Sequence, residues 1–204
     1  MSLVDGPDGR PRCSWGTSTP DYLDYHDNEW GRPVVDDRGI YERLCLEAFQ
    51  SGLSWLTILR KRDNFRAAFA DFDFEAVARF TDRDVERLLG DAGIVRNRAK
   101  IEATIANGKA VAEMAADGES LAELMWSFAP GHNTVPTSFE DLASTTPESK
   151  TFAKELKGRG FRFIGPTTAY AAMQACGVVN DHLAGCAVRE AVESEREAAI
   201  ASVG

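Results

Sequence analysis

The chain has 204 residues, of which 44% are hydrophobic and 27% are charged, and its formal net charge is −9. These values are typical of a soluble globular protein with one core. No apolar run reaches the roughly 20 residues that a membrane helix needs, and the negative charge disfavours binding of nucleic acid over the whole surface.

The first segment, 1–12, is rich in glycine, proline and aspartate and is predicted to be a disordered leader. It lacks the charged and then apolar pattern of a signal peptide, so a cytoplasmic protein is expected. The four cysteines are then expected to be reduced thiols or metal ligands. One domain is predicted over 13–187, followed by an acidic C-terminal helix or tail over 188–204.

Apolar residues follow a helical spacing along most of the chain, so the sequence predicts an all-α protein. The predicted helices, in chain order, run over 38–51, from Ser54 through Phe69, over 81–89, from near Arg96 through Met114, and over 120–128, 147–159, 167–176 and 188–200. Strand-like alternation is limited to Phe161–Phe163, which is too short to form a sheet.

Two cysteines and two histidines stand in pairs near the two ends of the chain, as Cys13 with His26 and His182 with Cys186. The second pair has the i, i+4 spacing that places two side chains on one face of a helix. Two thiolates and two imidazoles satisfy tetrahedral Zn²⁺ and leave no position for water, so a zinc site built from these residues would be structural. Spacing alone leaves open that these residues are buried thiols and ordinary polar histidines.

A short glycine-containing turn, Leu89–Ile94, separates two predicted helices and is followed by Arg96 and Arg98. A helix–hairpin–helix over about 82–106 would offer backbone N–H groups near Gly93 to a phosphate, with the basic side chains in support. The alternative is an ordinary helix–helix turn in which Gly93 ends the first helix.

Several longer motifs occur in one order: Tyr25–Gly31, Leu46–Glu47, Gly52–Trp55, Asp91–Ile94, Trp126–Phe128, Gly160–Phe163 and Met173–His182. Together they resemble the bacterial DNA-3-methyladenine glycosylase I family over nearly the whole folded part. The resemblance implies a helix–hairpin–helix DNA glycosylase fold. It also implies one structural zinc ion per chain that joins the N- and C-terminal segments, with Cys13, His26, His182 and Cys186 as ligands.

The same resemblance implies where the substrate base binds. Glu47 is the candidate catalytic residue, because it would recognise the polar edge of an extruded base. Tyr25 and Trp55 would sandwich that base, with Tyr22 and Trp15 as supporting members. From composition alone, Glu47 is an ordinary carboxylate on an amphipathic helix and the aromatic residues are core. Trp30 and Phe128 are expected to be residues of the hydrophobic core.

DNA contact is expected through Gly93, Arg96 and Arg98, and through Leu53 in a short apolar turn. Leu53 is either a wedge that enters the gap left by a flipped nucleotide or simply an exposed loop residue. The chain departs from the family pattern at Phe49, where a polar residue beside the pocket is expected, and in its longer acidic tail. Asp181 is a candidate to orient the neighbouring histidine ligand.

The function implied by the resemblance is base-excision repair of double-stranded DNA that carries alkylated purines. The enzyme would flip out 3-methyladenine and hydrolyse its N-glycosidic bond, leaving an abasic site. The alternatives are a non-catalytic protein that binds alkylation damage on the same scaffold, a zinc-dependent hydrolase or deaminase, and a helical adaptor. Hydrolase and deaminase zinc motifs are absent from the sequence. The default expectation for the oligomeric state is a monomer.

Overall fold

The computed structural model describes residues 2–131 and 134–203, so Met1 and Gly204, the ends of the predicted leader and tail, lie outside it. Helices predominate within these ranges, as the periodicity predicts. They are α1 (Pro20–Asn28), α2 (Asp37–Gln50), α3 (Trp55–Ala68), α4 (Phe74–Ala78), α5 (Asp82–Gly90), α6 (Arg98–Ala116), α7 (Leu121–Trp126), α8 (Pro147–Gly158), α9 (Pro166–Ala175) and α10 (Arg189–Val203). None of the described helices is both long and apolar enough to cross a membrane.

Most helices begin at a side chain that accepts a hydrogen bond from the first turn. Such caps are Thr19 at α1, Asp36 at α2, Ser54 at α3, Asn97 at α6 and Thr146 at α8. Each cap satisfies a backbone N–H that has no partner within the helix, and so fixes where the helix starts. Helix α1 is absent from the sequence-based prediction, although Thr19 followed by Pro20 is a typical start signal.

Helix α2 lies at the centre of the protein and packs against α3, α6, α7 and α9. Its side chains are buried without interruption over 44–49, on every face of the helix. The helices that pack on several sides of α2 leave no solvent-facing stripe in this part. Glu47 is therefore carried into the interior together with its apolar neighbours.

The segment predicted to be a disordered leader contains a β-hairpin. Strand β1 (Leu3–Asp5) pairs antiparallel with β2 (Pro11–Cys13). Arg12 is only 3% exposed, and its guanidinium binds Asp8 on the hairpin and Asp27 on α1. The prediction of disorder is wrong for these residues, because an ion-pair network with α1 fixes a segment that has little apolar surface of its own.

The strand-like segment Phe161–Phe163 forms no strand, in line with its shortness. The side chain of Asn107 in α6 binds its backbone instead: Oδ1 accepts from Arg162 N at 2.7 Å, and Nδ2 donates to Arg162 O at 3.2 Å. Phe163 has a left-handed φ of 60°, which ends the extended run. One amide side chain thus supplies the two hydrogen bonds that a neighbouring strand would provide.

Candidate functional site

The four predicted metal ligands meet at one buried point. The ligand atoms of Cys13, His26, His182 and Cys186 all lie within 4.8 Å of one another. Cys13 Sγ is 3.9 Å from His182 Nδ1, and Cys186 Sγ is 3.6 Å from His26 Nε2 and 3.7 Å from His182 Nδ1. Zinc bonds of about 2.3 Å to sulfur and 2.0–2.1 Å to nitrogen give tetrahedral S···N edges of about 3.5 Å. The cluster could therefore bind a metal ion in a closed tetrahedral site.

The ligands come from the two ends of the described chain, but not from the local structure that their spacing suggests. Cys13 ends β2 and His26 lies in α1, whereas His182 and Cys186 lie in the irregular segment before α10. The prediction that the second pair shares a helical face is wrong, because Gly185 takes a left-handed φ of 82° and turns the chain there. Cys186 thus returns toward His182 through a turn in a loop and not through one turn of a helix.

Contacts around the cluster orient both imidazoles. His26 Nδ1 lies 2.8 Å from Asp27 Oδ1, and His182 Nε2 lies 3.1 Å from the Trp30 carbonyl oxygen. Each contact engages the ring nitrogen that faces away from the cluster and leaves the other available as a ligand. Asp181 does not orient His182, in contrast to the expectation, because its carboxylate binds side chains of α9 instead.

The predicted base-binding residues also meet. A cavity of about 290 Å³ is lined by Trp15, Tyr22, Tyr25, Trp30, Glu47, Gln50, Trp55, Ala171 and Gln174. Four aromatic residues and one carboxylate that the sequence singled out therefore share one pocket. Phe49 is not among the lining residues, because its ring is fully buried and packs on Phe65 at 4.6 Å between ring centroids. The departure from the family pattern at Phe49 thus lies in the core and not in the pocket wall.

The aromatic walls are held at fixed angles. The rings of Tyr25 and Trp55 lie 5.4 Å apart between centroids and are tilted by 45°. Trp15 makes edge contacts with Tyr22 at 5.7 Å and Trp30 at 5.0 Å. The Tyr22 hydroxyl accepts a hydrogen bond from the Leu56 backbone N–H at 3.0 Å, which ties α1 to the start of α3. Such packing preorganises an aromatic wall for a flat ring. Because the Tyr25 and Trp55 rings already contact each other, they leave no space for a base between them, in contrast to the expected sandwich.

Trp30 packs against the hydrophobic core, as predicted, but it also lines this pocket, which the prediction did not include. Its ring contacts the His182 ring at 4.7 Å, and the Trp15 ring contacts the His26 ring at 5.1 Å. Two pocket walls therefore rest directly on two of the metal-ligand candidates. Phe128, the other predicted core residue, packs on Phe152 in the core.

Glu47 is the acidic group of the pocket. Its side chain is 7% exposed, and no donor among the described residues makes a hydrogen bond to its carboxylate. Burial raises the pKa of Glu47 from 4.5 to about 8, although the charge of Arg43 opposes the rise. Arg43 lies one helical turn before Glu47 and binds Glu29 at 3.0 Å. A carboxyl group with such a pKa changes its charge near neutral pH and responds strongly to a charged ligand.

The raised pKa has a consequence for stability that can be measured. Because folded Glu47 keeps its proton up to about pH 8 and an unfolded glutamic acid only to about 4.5, its ionisation adds no cost to folding at low pH. The cost grows as the pH rises between these values and reaches a few kcal/mol. We expect Glu47→Gln to gain stability relative to the wild type as the pH is raised from about 5 to 8.5. Urea unfolding across this range measures the difference, and parallel pH profiles would contradict it.

The predicted hairpin is a turn over 91–97 between α5 and α6. Its Gly93 N–H is already bound to Asp91 Oδ1 at 2.7 Å, and Lys61 Nζ binds the Gly93 carbonyl at 3.1 Å. Gly93 does not have a positive φ, and the C-cap residue of α5 is Asp91, so the alternative in which Gly93 caps α5 is wrong. The turn is thus held by side chains on both sides.

The cations after this turn differ in their surroundings. Arg96 is exposed and makes no ion pair or hydrogen bond within the described residues. Arg98 begins α6 and forms ion pairs with Glu86 and Glu102. Lys100 is buried and does not face solvent. Arg96 is therefore the cation of this stretch that is most available to an anionic partner.

Lys100 connects the hairpin helix to the turn that follows α2. Its Nζ donates to the carbonyl oxygens of Phe49 at 2.8 Å and Ser51 at 2.5 Å. These carbonyls stand at the C-terminal end of α2, where a cation is favourable. Leu53, the candidate wedge, projects from this turn with 42% of its surface exposed, and Gly52 permits the turn with a φ of 82°.

Asp27, Trp30, Arg43 and Gln174 are site residues that sequence reasoning did not assign. The signal for the first two was present, because both lie within the Tyr25–Gly31 motif. A motif does not reveal which of its side chains face the site, because their directions depend on how the motif packs against distant segments. Gln174 likewise lies within the Met173–His182 motif, whereas no local signal marks Arg43.

Comparisons with known proteins agree with one another. The family described as methyladenine glycosylase matches residues 15–190. The Escherichia coli K12 protein named DNA-3-methyladenine glycosylase 1 is 47% identical over 178 residues, covering 86% of this chain and 95% of that protein. A Haemophilus influenzae protein named DNA-3-methyladenine glycosylase is 44% identical, covering 86% and 96%.

Solved structures give the same picture. A crystal structure of 3-methyladenine DNA glycosylase I superposes with a TM-score of 0.83 at 49% identity, covering 86% of this chain and 98% of that one. A variant of 3-methyladenine DNA glycosylase I in complex with 3-methyladenine superposes with a TM-score of 0.82 at 34% identity, covering 87% and 97%. Nearly all of α10 lies beyond the residues that match the family.

Proposed function

The chain belongs to the methyladenine glycosylase family, and from this membership we propose that it is a DNA base-excision glycosylase that releases 3-methyladenine from alkylated DNA. The observation that carries the proposal is the pocket that the buried carboxyl group of Glu47 shares with the aromatic rings of Tyr25 and Trp55. A flat, electron-poor base that carries a positive charge suits such a pocket in shape and in charge.

The chemistry needs little acid catalysis. A purine methylated at N3 is cationic while it is attached to deoxyribose, so the bond from C1′ to N9 breaks with its electron pair moving into the ring. The base leaves as a neutral molecule, and water adds to C1′ with loss of a proton, leaving an abasic site. The protein mainly has to extrude the lesion, hold it and exclude normal adenine.

Glu47 is the proposed catalytic residue. A nearby cation favours the charged form of a carboxyl group, so binding of the lesion shifts Glu47 from acid to carboxylate. The carboxylate then accepts hydrogen bonds from the base and offsets its charge. Tyr25 stays a neutral phenol, because burial and then Glu47 raise its pKa well above 10. Tyr22 and Trp15 support the stacked base from the side.

Incubation with methylated duplex DNA tests the proposed function. We expect free 3-methyladenine and an equal number of abasic sites, and no release from undamaged duplexes. Tight binding of the damaged duplex without release would favour the alternative, a non-catalytic protein that binds alkylation damage. Absence of both binding and release would contradict the proposal in either form.

Zinc is the proposed cofactor, with one ion per chain held by Cys13, His26, His182 and Cys186. The support is the buried donor set and the tetrahedral spacing of its ligand atoms. Four protein ligands leave no open position, so the ion supplies a cross-link between the chain ends and takes no part in bond cleavage. It also holds the two imidazoles on which Trp15 and Trp30 rest.

DNA binding is proposed to use the helix–hairpin–helix formed by α5, the turn over 91–97 and α6. Backbone groups near Gly93 and the side chains of Arg96 and Arg98 would contact phosphates, and Leu53 would fill the gap left by the flipped base. Lys100 links these two surfaces through its bonds to the end of α2. The partner is double-stranded DNA, and we propose that the protein acts as a cytoplasmic monomer.

Arg96→Ala should weaken binding to undamaged duplexes of every sequence alike, because phosphate contacts carry no base information. The plot of log K against log salt concentration should become less steep by about 1, the change expected when one phosphate contact is lost. Arg98→Ala should have a smaller effect, because Arg98 is already paired with Glu86 and Glu102. Fluorescence anisotropy at several salt concentrations measures both slopes.

The matched control is Lys109→Ala, which removes an exposed cation from α6 about three turns after Arg98. It should leave the slope nearly unchanged. An unaltered slope in both arginine variants would mean that the segment is only a turn between helices.

A further inference from the structure

Gln174 shares the pocket with Glu47 and has a partner that fixes it. It lies on α9, and its Nε2 donates to Asp181 Oδ2 at 2.7 Å. The Tyr170 hydroxyl donates to the same oxygen at 2.7 Å. Asp181 and Tyr170 are each 6% exposed and face a separate cavity of about 330 Å³. One amide therefore stands between a buried carboxylate on one side and the pocket on the other.

The partner determines which end of the amide faces the pocket. A carboxylate oxygen accepts hydrogen bonds and does not donate them, so the amide NH₂ of Gln174 must point toward Asp181. Burial, and then the charge of Asp181, raise the pKa of Tyr170, so the hydroxyl remains a donor and keeps Asp181 in place. The Gln174 carbonyl oxygen has no partner within the described residues and is left for the pocket.

We propose that Gln174, oriented by Asp181 and Tyr170, is a specificity-determining residue that makes the pocket select 6-amino over 6-oxo purines. The inference rests on the proposed function. Adenine carries an exocyclic NH₂ donor at the ring position where guanine carries a carbonyl acceptor. The pocket offers two hydrogen-bond acceptors, Glu47 and the Gln174 oxygen. They can accept from the exocyclic NH₂ of adenine, whereas they repel the carbonyl oxygen that guanine carries at the same position. The pocket therefore favours 3-methyladenine over 3-methylguanine.

Binding of the two free bases tests the inference without the cleavage step. Quenching of tryptophan fluorescence is a suitable signal, because Trp15, Trp30 and Trp55 line the pocket. In Gln174→Met, which keeps the length of the side chain and removes the acceptor, 3-methyladenine should bind about fivefold more weakly. The affinity for 3-methylguanine should stay the same or rise, so the ratio of the two affinities that favours 3-methyladenine should decrease.

Asp181→Asn gives the sharper result. An asparagine can place its NH₂ at the position of Asp181 Oδ2, where both contacts meet. From there it donates to the Gln174 oxygen and to the Tyr170 hydroxyl oxygen, which frees the Gln174 amide to turn its NH₂ into the pocket. The affinity for 3-methylguanine should then increase by about fivefold or more, while that for 3-methyladenine decreases. Zinc content is measured alongside, because Asp181 precedes His182 in the chain. Gln50→Met is the comparison variant, since it makes the same change at a pocket residue that lacks the Asp181 contact.

The outcomes separate the inference from the function on which it rests. A wild-type protein that binds and releases 3-methyladenine, with an unchanged preference in Gln174→Met and Asp181→Asn, overturns the inference alone. An equal change of preference in Gln50→Met overturns it too, because general pocket polarity would then explain selection. A wild-type protein that neither binds nor releases 3-methyladenine overturns the proposed function and the inference together.

Discussion

Glu47→Gln should release 3-methyladenine from methylated DNA at least about tenfold more slowly than the wild type, although the protein stays folded. The substitution keeps the shape of the side chain, but it removes the negative charge that forms when a cationic base binds. A hydrogen bond that involves a charged group contributes roughly 1.5–3 kcal/mol, which sets the size of the loss. Single-turnover release of free base from a methylated duplex measures it.

The fold of this variant should be at least as stable as that of the wild type near pH 8, because a buried carboxylate has been replaced by a neutral amide. Binding to undamaged DNA should be unchanged, since the proposed phosphate contacts lie elsewhere. Glu42→Gln is the matched control: it makes the same change on α2, outside the pocket, at a residue paired with Arg66. Wild-type release by Glu47→Gln would rule out its role, whereas loss of activity together with unfolding would make Glu47 a structural residue.

Cys186→Ala should reduce the zinc content well below the one ion per chain expected for the wild type, and should lower the melting temperature by roughly 10 °C or more. The metal would close a loop between Cys13 and Cys186, and a cross-link over so long a stretch restricts the unfolded chain by about 3–5 kcal/mol in stability. Among the described residues the cluster contains only these two cysteines and two histidines, so no further cysteine, histidine or carboxylate of the cluster replaces the missing thiolate. Elemental analysis and thermal unfolding measure the two effects.

Cys45→Ala is the control for this variant, because Cys45 is an equally buried free cysteine that is not part of the cluster. It should lose some packing stability but no metal. Wild-type protein that is prepared without chelators and contains no metal would contradict the zinc proposal. A Cys186→Ala protein with the stability of Cys45→Ala would show that the cluster does not hold the chain ends together.

The helices could be read from the sequence because their signals are local. A helical spacing of apolar residues and a cap such as Ser54 or Thr146 involve residues within a few positions of one another. The predicted starts of α2 and α8 therefore agree with the structure to within one residue. Helix α1 was not predicted, because it carries several polar and aromatic side chains and has little apolar periodicity.

The ligand set and the aromatic pocket could be predicted from residue types in a recognised order, without their geometry. Which side chains face the pocket depends on contacts between distant segments. Trp30 packs against the core, as predicted, and it also forms a pocket wall because the His182 loop packs against it. Arg98, a predicted phosphate ligand, already forms ion pairs with Glu86 and Glu102, and the nearby Lys100 is buried at the end of α2.

The sequence by itself determined the all-α architecture, the four metal-ligand candidates and the residue types of the pocket. Tertiary structure decided that Arg12 fixes the N-terminal hairpin through Asp27, that the second ligand pair lies in a loop, and that Gln174 is turned by Asp181. The physical reason is that backbone periodicity and capping depend on near neighbours. Burial, pKa and the orientation of a polar side chain depend on groups that are brought together only when the chain packs.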